Sequence, residues 1–270
     1  MHAYQSLKVE QQGAIAHIQI NRPAKANAMD EAFWTEMVEI FDWVDQTDSV
    51  RVAVISGAGD HFSAGIDLAM LAQAAGSLTQ DIGRNAERIR RNILRLQAAF
   101  NAIDDCRKPV IAAIHGYCIG GAIDLISACD MRYATANAHF SIKEIDMGMA
   151  ADVGTLQRLP HLIGDGMMRE LAYTGRAMHG DEAKQLGLVN KVYAEHAEMI
   201  EGVMAIAGQI AAKSPLAIRG TKEMIRYSRD HSVAEGLNYI ATWNAAMLQS
   251  EDLKLAMAAH MSKKPAEFAD

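Results

Sequence analysis

The sequence is poor in cysteine, has no excess of basic residues and contains no long hydrophobic run. Its formal net charge of -7 argues against nucleic acid or an anionic membrane surface as the main partner. No apolar run approaches the roughly 20 residues that are needed to cross a bilayer. The three cysteines, Cys106, Cys118 and Cys129, form no C-x-x-C pair, which is typical of a protein from a reducing cytoplasm.

Targeting signals and metal motifs are also lacking. The first residues, MHAYQSLKVEQQG, do not have the basic and then apolar order of a secretory signal, and the last, KKPAEFAD, carry no lipidation or organelle address. His115 and Cys118 have the spacing of metal ligands, but the chain offers them too few partners for a zinc site. We therefore expect a soluble cytoplasmic protein that binds no metal ion.

What the chain does contain is a regular alternation of short apolar runs and amphipathic segments. Asp30 is a suitable N-cap for a helix that ends near Asp45, and residues 79–104 form a longer helical pattern with arginines on its wet face. Strands are predicted at residues 14–20, 52–57, 108–116 and 131–135. A repeated strand-then-helix order predicts an α/β fold with parallel strands. From about Gly164 onward the pattern is helical, so we expect one α/β domain with a helical C-terminal third.

Two glycine-containing stretches, SAGID at residues 63–67 and CIGGAID at residues 118–124, each follow a predicted strand and precede a predicted helix. Free N–H groups at a helix start carry partial positive charge, and glycine lets another group approach the backbone closely. If the two stretches faced each other, they could offer two N–H donors to one carbonyl oxygen, which is an oxyanion hole. Tight turns that need glycine explain either stretch equally well. Neither stretch fits a phosphate-binding loop, a dinucleotide fingerprint or a nucleophile elbow.

Acids occur where apolar residues and glycines dominate. Residues 142–154 read IKEIDMGMAADVG and include Glu144, Asp146 and Asp152, and Asp124 lies on the first turn of the helix that Gly121 opens. A carboxylate in an apolar pocket has a raised pKa and can act as a general acid or base. The alternative for each acid is an ion pair that only stabilises the fold. For Glu144 the available partners are Lys143 or Arg158, and for Asp146 we favour this structural alternative.

Several segments together resemble the crotonase superfamily, the enoyl-CoA hydratase/isomerase group. They are NRPAKANAM at residues 21–29, FSAGIDL at 62–68, KPVIAAIHGYCIGGAIDLISACDMRYAT at 108–135 and GTLQRLP at 154–160. The resemblance implies a crotonase-like spiral of ββα units, with the active site in residues 1–200 and a helical trimerisation region in residues 201–270. It also implies two nearly perpendicular sheets and a homotrimer or a dimer of trimers, that is, a hexamer.

The resemblance further implies the layout of an acyl-CoA site. The oxyanion hole maps onto the backbone N–H groups of Ile66 and Gly121, and coenzyme A enters as part of the substrate, so no separate cofactor is expected. The implied substrate-binding residues are Ser63, Ala64, Gly65, Asp67, Leu68 and Gly120. Positions for the adenine and the phosphates of coenzyme A do not follow from the motifs.

The acids indicate which reaction the site performs. Hydratases of the group have a motif similar to GGxxE where this chain has GGAID. They usually carry glycine at the position of Asp152. The chain is similar here to the delta-3,5-delta-2,4-dienoyl-CoA isomerases, which have Asp, Glu and Asp at the positions of Asp124, Glu144 and Asp152. The resemblance thus implies a proton shift between C2 and C6 of a 3,5-dienoyl-CoA, carried by Glu144 and Asp152 with help from Asp124. The alternatives are an enoyl-CoA hydratase, a delta-3-delta-2 isomerase and a non-catalytic acyl-CoA-binding protein.

Overall fold

A computed structural model describes residues 4–270 of the chain. Residues 1–3, part of the N-terminal stretch considered above for a targeting signal, lie outside this description. Nine strands are present in the described part: β1 (Leu7–Gln12), β2 (Ile15–Ile20), β3 (Val52–Gly57), β4 (Val110–Ile114), β5 (Tyr117–Ile119), β6 (Met131–Thr135), β7 (His139–Ser141), β8 (Met178–His179) and β9 (Lys191–Tyr193). The helices up to the middle of the chain are α1 (Glu31–Gln46), α2 (Leu68–Gly76), α3 (Ile82–Asp105), α4 (Gly121–Ala128) and α5 (Thr155–Arg158). They are followed by α6 (Asp165–Thr174), α7 (Gly180–Gln185), α8 (His196–Ala211), α9 (Pro215–Tyr227), α10 (Val233–Met247) and α11 (Glu251–Ser262).

The strands form two sheets, and the predicted α/β class is confirmed. The larger sheet has the order β1-β2-β3-β4-β6-β9, and all its neighbours are parallel except β1 and β2. The smaller sheet has the order β5-β7-β8, with β5 parallel to β7. An isolated bridge between Ser63 and Cys118 brings the SAGID stretch beside β5. The chain therefore runs from the large sheet to the small sheet twice. After β3 the SAGID stretch lies beside the edge strand β5, and after β4 the chain forms β5 itself.

The central strand β3 is buried along its whole length, since both faces of the large sheet are covered. Ala53 and Ile55 belong to the main core with α1, α3 and α4, whereas Val52 and Val54 pack on the opposite face. That opposite face is covered by α8 through Met199, Val203 and Ala207. Alternate side chains of one strand thus reach two different layers of apolar residues.

The helix predictions are confirmed in position, with differences at the ends. The Asp30 side chain accepts a hydrogen bond from the N–H of Phe33 and caps α1 as expected. The long helix α3 begins at Ile82 rather than at residue 79, because Asp81 provides its N-cap. Its first half is not covered by the rest of the chain, and Ile89, which recurs at helical spacing with the buried Phe100, is 45% exposed.

The C-terminal helices are largely exposed in the single chain. No residue of α10 or α11 is buried, although α9 and α10 approach so closely that a Cβ at Gly220 would lie 2.4 Å from the indole nitrogen of Trp243. The predicted division at residue 200 falls within α8, and it stays a prediction. Among the described residues, no helix is both long enough and apolar enough to cross a membrane.

Candidate active site

The SAGID stretch is held in place by the NRPAKANAM segment. Asn27, with φ 56°, donates from its side-chain amide to the carbonyl oxygens of Ala58 and His61 at 2.8 and 2.7 Å. The hydroxyl of Ser63 donates to the carbonyl oxygen of Asn27 at 2.8 Å and accepts from the N–H of Gly65 at 3.1 Å. Asn27 thus links the SAGID stretch to residues 58–61, a role that sequence analysis did not predict, although asparagine is one of the few residues that tolerate a left-handed backbone.

Met29 fixes the direction of the Ile66 N–H group. The N–H of Met29 donates to the carbonyl oxygen of Gly65 at 2.8 Å, and the N–H of Asp67 donates to the carbonyl oxygen of Met29 at 2.9 Å. Together the two bonds form a parallel bridge between Met29 and Ile66. Successive backbone groups of an extended chain alternate in direction, so the N–H of Ile66 points away from Met29. It has no acceptor among residues 4–270.

The second loop turns sharply from β5 into α4 at Gly120, which has φ 55° and ψ −121°. Its N–H donates to the carbonyl oxygen of Ser141 at 2.9 Å and ties the loop to β7. The N–H of Gly121, the first residue of α4, has no intrahelical partner by its position, and it has no acceptor elsewhere in the described chain. The sequence-based expectation that a helix begins here is confirmed.

The two loops face each other. A Cβ at Gly65 would lie 3.2 Å from the backbone nitrogen of Gly121, and a Cβ at Gly121 would lie 3.7 Å from the backbone nitrogen of Ile66. Glycine is needed at Gly65 in particular, since its φ is 85° and its Cβ would come within 2.5 Å of the carbonyl oxygen of Ile119. The structure therefore brings together the two N–H groups that the sequence had paired, and neither has an acceptor among residues 4–270.

The remaining predicted substrate-binding residues have structural bonds of their own. The N–H of Ala64 donates to the carbonyl oxygen of Ala26 at 2.9 Å. Asp67 caps α2 by accepting from the N–H of Ala69 at 3.1 Å, and its other oxygen lies 3.1 Å from the guanidinium of Arg22. Leu68, at the start of α2, is 61% exposed and free to contact a ligand. Their assignment to substrate binding stays a prediction.

Asp124 lies on the first turn of α4 and is fully buried. Its Oδ1 accepts a hydrogen bond of 2.6 Å from the N–H of Thr155, the first residue of α5, and its Oδ2 has no hydrogen-bond partner among the described residues. The pKa of Asp124 is raised to about 6, because burial and the charge of Asp152 outweigh the lowering effects of the Thr155 bond and of Arg158. Asp124 therefore connects α4, which follows the second glycine loop, to the segment that carries Asp152.

Glu144 stands beside the second glycine loop, in the short 3-10 helix Lys143–Met147 that follows β7. A Cβ at Gly120 would lie 3.3 Å from Oε1 of Glu144, and Oε2 is buried without a hydrogen-bond partner in residues 4–270. Burial, together with the charges of Asp124 and Asp152, raises the pKa of Glu144 to about 7. A carboxyl of this kind changes protonation state near neutral pH, which suits an acid or base in catalysis.

The structural alternative for Glu144 is wrong, because both of its possible partners are engaged elsewhere. Lys143 lies 2.6 Å from Asp146, and Arg158 lies 3.3 Å from Asp104. The same contact confirms the structural alternative for Asp146, which pairs with Lys143 at the surface. Two acids that are two residues apart thus have opposite environments, one of them isolated and one of them paired.

Asp152 precedes α5 and is more exposed than the other two acids. Partial burial raises its pKa from the ordinary value. Its carbonyl oxygen accepts a hydrogen bond of 2.7 Å from the side-chain amide of Gln97 on α3, a contact that sequence analysis did not predict. No ion pair in residues 4–270 involves Asp152, Glu144 or Asp124. The charge of Asp152 instead raises the pKa of both Asp124 and Glu144, so the three predicted acids form one electrostatic group.

The predicted metal-like pair has other contacts. The Nε2 of His115 lies 2.8 Å from the carbonyl oxygen of Gly59, and its ring stacks on His196 at 3.8 Å between ring centroids. Cys118 is fully buried. In the part of the chain that the structure describes, no group of three or more His, Cys, Asp or Glu residues is arranged to hold a metal ion.

Comparisons with known proteins give a consistent result. A family described as "Enoyl-CoA hydratase/isomerase" matches residues 10–270. The chain is 48% identical over 266 residues to the human "Delta(3,5)-Delta(2,4)-dienoyl-CoA isomerase, mitochondrial", covering 97% of this chain and 81% of that protein. It is 48% identical over 274 residues to the Arabidopsis thaliana "Delta(3,5)-Delta(2,4)-dienoyl-CoA isomerase, peroxisomal", covering 100% and 99%. The crystal structure of an enoyl-CoA hydratase from Bacillus anthracis superposes with a TM-score of 0.90 at 29% identity, covering 98% of this chain and 99% of that one.

Proposed function

The chain belongs to the enoyl-CoA hydratase/isomerase family, and we propose that it converts 3,5-dienoyl-CoA thioesters into 2,4-dienoyl-CoA thioesters. The observation that carries this proposal is the group of three coupled carboxyls, none of them paired with a cation, beside two converging N–H groups. The relatives with nearly half of their residues identical to this chain are named for the same isomerisation.

The first step places negative charge on the thioester oxygen. Removal of a proton from C2 converts the thioester into a dienolate, and the N–H groups of Ile66 and Gly121 donate to the oxygen as that charge develops. Loss of one such donor typically costs on the order of 10²–10³ in rate. Both donors belong to the backbone, so of the ordinary substitutions only proline, which has no backbone N–H, would remove one of them.

Two carboxyls then move the proton along the chain. The carboxyl of Glu144 lies against Gly120, next to the proposed oxyanion hole, so we assign it to C2, and Asp152 to C6. The ionised Glu144 takes the C2 proton, C2=C3 forms, the C3=C4 pair moves to C4=C5, and the C5=C6 pair takes a proton from Asp152. Electrons and protons balance without a cofactor, and exchange with solvent restores the starting protonation states.

Asp124 supports this exchange from the interior. Its charge raises the pKa of Glu144, and its bond to the N–H of Thr155 holds the start of α5, three residues after Asp152. The proposed reaction needs one ionised and one protonated carboxyl at the start, and carboxyls that interact titrate as a group. This arrangement also distinguishes the site from a single-acid delta-3-delta-2 isomerase, for which Glu144 alone would suffice.

Ultraviolet spectroscopy of the purified protein tests the proposal directly. We expect 3,5-octadienoyl-CoA to give the longer-wavelength 2,4-dienoyl chromophore, whereas 2-octenoyl-CoA in a parallel assay is hydrated little. Fast hydration without dienoyl conversion would instead identify an enoyl-CoA hydratase. Binding of octanoyl-CoA without either reaction would identify a non-catalytic acyl-CoA-binding protein.

We further propose that the C-terminal helices join three chains into a trimer, which is either the whole assembly or one half of a hexamer. The exposed apolar side chains of α10, α11 and the turn between them support this proposal: Val233, Leu237, Leu248, Leu253, Leu255, Met257 and Met261. Light scattering during size-exclusion chromatography tests the mass, with 29.4 kDa expected per chain. The cytoplasmic location stays a prediction, to be tested by cell fractionation.

A further inference from the structure

Three polar residues of α3 lie on the side of the helix that faces the acid-bearing segment 152–158. Gln97, Asn101 and Asp104 are spaced by four and three residues, which places them in one row along the helix. We call this row the polar stripe of α3. Its members contact the segment at both ends.

The first contact is at the N-terminal end of the segment. The side-chain amide of Gln97 donates to the carbonyl oxygen of Asp152 at 2.7 Å, as described above. A bond to the backbone of Asp152 fixes the position of its Cα while it leaves the carboxyl free. The side chain of Asp152 can therefore react without breaking this contact.

The second contact is at the C-terminal end, through Arg158. The guanidinium lies 3.3 Å from Asp104 and donates to Asn101 at 2.6 Å, and the paired side chains of Arg158 and Asp104 are only 14% and 18% exposed. Arg229 also bonds Asp104, at 2.9 Å. Burial alone would raise the pKa of Asp104, but the bonds and charges of the two arginines hold it below its ordinary value. The negative charge that holds Arg158 is therefore present throughout the neutral range.

The segment itself is built around this guanidinium. A Cβ at Gly154 would lie 2.0 Å from an Nη of Arg158, so glycine leaves the space into which the arginine folds back over the segment. Directly after Gly154, the N–H of Thr155 donates to Asp124 at 2.6 Å. The position of Arg158 therefore bears on the bond that holds Asp124.

We propose that the polar stripe of α3 positions two of the three site acids, Asp152 through Gln97 and Asp124 through Asp104, Arg158 and the start of α5. This inference rests on the proposed function, since it assigns the stripe a role in the same reaction. Gln97, Asn101, Asp104 and Arg158 are positioning residues, because they act through the segment and not on the substrate. Misplacement of reacting groups by about 1 Å can cost on the order of 10²-fold in rate.

The test compares Arg158→Met and Gln97→Leu with Arg169→Met. The control removes a matched arginine–aspartate pair, because Arg169 lies 2.8 Å from Asp165 on α6, where the side chains are 59% and 68% exposed. We expect the first two variants to lose roughly 10- to 100-fold in kcat, with KM and the affinity for octanoyl-CoA within about twofold of wild type. Hydrogen–deuterium exchange in peptides that cover residues 150–160 is expected to become faster in both, and the control is expected to match wild type in every measurement.

Wild-type kcat together with wild-type exchange in residues 150–160 would overturn the inference. So would a loss confined to KM, since that would give the stripe a role in binding. If Arg158→Met does not fold, Gln97→Leu decides, because it removes one neutral hydrogen bond. If the wild-type protein does not convert dienoyl-CoA at all, the proposed function fails, and the exchange measurement alone still decides whether the stripe holds the segment.

Discussion

Two groups of carboxylates in this protein differ in whether a cation accompanies them. In the site, Glu144 has no ion pair, and burial together with neighbouring acids raises its pKa to about 7. Near the C-terminal end of α3, Asp104 is held by Arg158 and Arg229, and its pKa is lowered. The same functional group is therefore poised to gain and lose a proton in one region, and kept ionised in the other.

The difference follows from where arginine and lysine occur. An ionised carboxylate in a poorly solvated position is costly without a partner, so the group protonates instead and its pKa rises. With a guanidinium in contact, the charged form is favoured and the carboxylate becomes a fixed structural link. None of the three acids has an ion pair in residues 4–270, and substitutions can test whether this matters for the reaction.

The largest expected effect comes from Glu144→Gln. The amide keeps the shape of the side chain but cannot accept the C2 proton, and loss of a general base costs roughly 10²–10⁴ in rate. We expect kcat for 3,5-octadienoyl-CoA to fall toward the upper end of this range, with unchanged affinity for octanoyl-CoA. Asp146→Asn is the matched control on the same 3-10 helix, because its carboxylate is paired with Lys143, and it is expected to keep wild-type turnover.

Asp152→Asn is expected to cost about 10²-fold, at the lower end of the range for general acid–base catalysis. Asp152 is exposed, so a solvent water can partly replace it as the proton donor to C6. The measurement is kcat at saturating 3,5-octadienoyl-CoA, and octanoyl-CoA affinity serves as the check on binding. Turnover equal to that of Asp146→Asn would remove Asp152 from the mechanism.

Much of the fold could be predicted because its signals are local. The strand at 52–57 is a continuous apolar run, and it is observed with those bounds, since a strand buried on both faces needs no polar alternation. The short strands of the small sheet were harder to predict. The two residues of β8 form a strand only because β7 lies next to them, and no period can be detected in two residues.

In the site, too, features that depend on three-dimensional neighbours could not be predicted. The three acids and the two glycine loops could be assigned from their sequence context and from the family resemblance. Which acid pairs with Lys143 could not be predicted, since Glu144 and Asp146 are both near it in sequence, and only the three-dimensional contacts show that Asp146 is the partner. Gln97 carries no signal at all, because an amide on a wet helix face is ordinary until a loop 55 positions away reaches it.

A smaller loss of turnover is expected from Gly120→Ala, which adds a methyl group in close contact with the Glu144 carboxyl but keeps that carboxyl. The new Cβ would lie 3.3 Å from Oε1, in a residue with positive φ. Gly148→Ala is the control, because φ is 72° there and no atom lies within 4 Å of the added Cβ. Both variants are expected to lose about 1 kcal/mol of stability or somewhat more, owing to backbone strain.

Only Gly120→Ala is expected to lower kcat, by about tenfold, since misplacement of a reacting group slows the chemical step. Turnover is measured per folded protein, with folding checked by circular dichroism. Equal turnover in the two variants would mean that the contact between Gly120 and Glu144 does not set the position of the carboxyl.

The smallest expected effect concerns stability and pH. The pKa of Glu144 is raised from 4.5 to about 7 on folding, so between these values the folded protein holds a proton that the unfolded chain releases. The stabilisation from this group is therefore complete below about pH 4.5 and is lost as the pH rises to about 7. Relative to Glu144→Gln, the wild-type protein is expected to lose on the order of 1 kcal/mol of unfolding free energy between pH 5 and pH 8, after allowance for partial solvent exposure. Urea unfolding at fixed protein concentration measures this difference, in which other titrating groups largely cancel. A difference that stayed constant, or that changed in favour of the wild-type protein at high pH, would show that Glu144 is already ionised in the folded state and has the character of the paired acids.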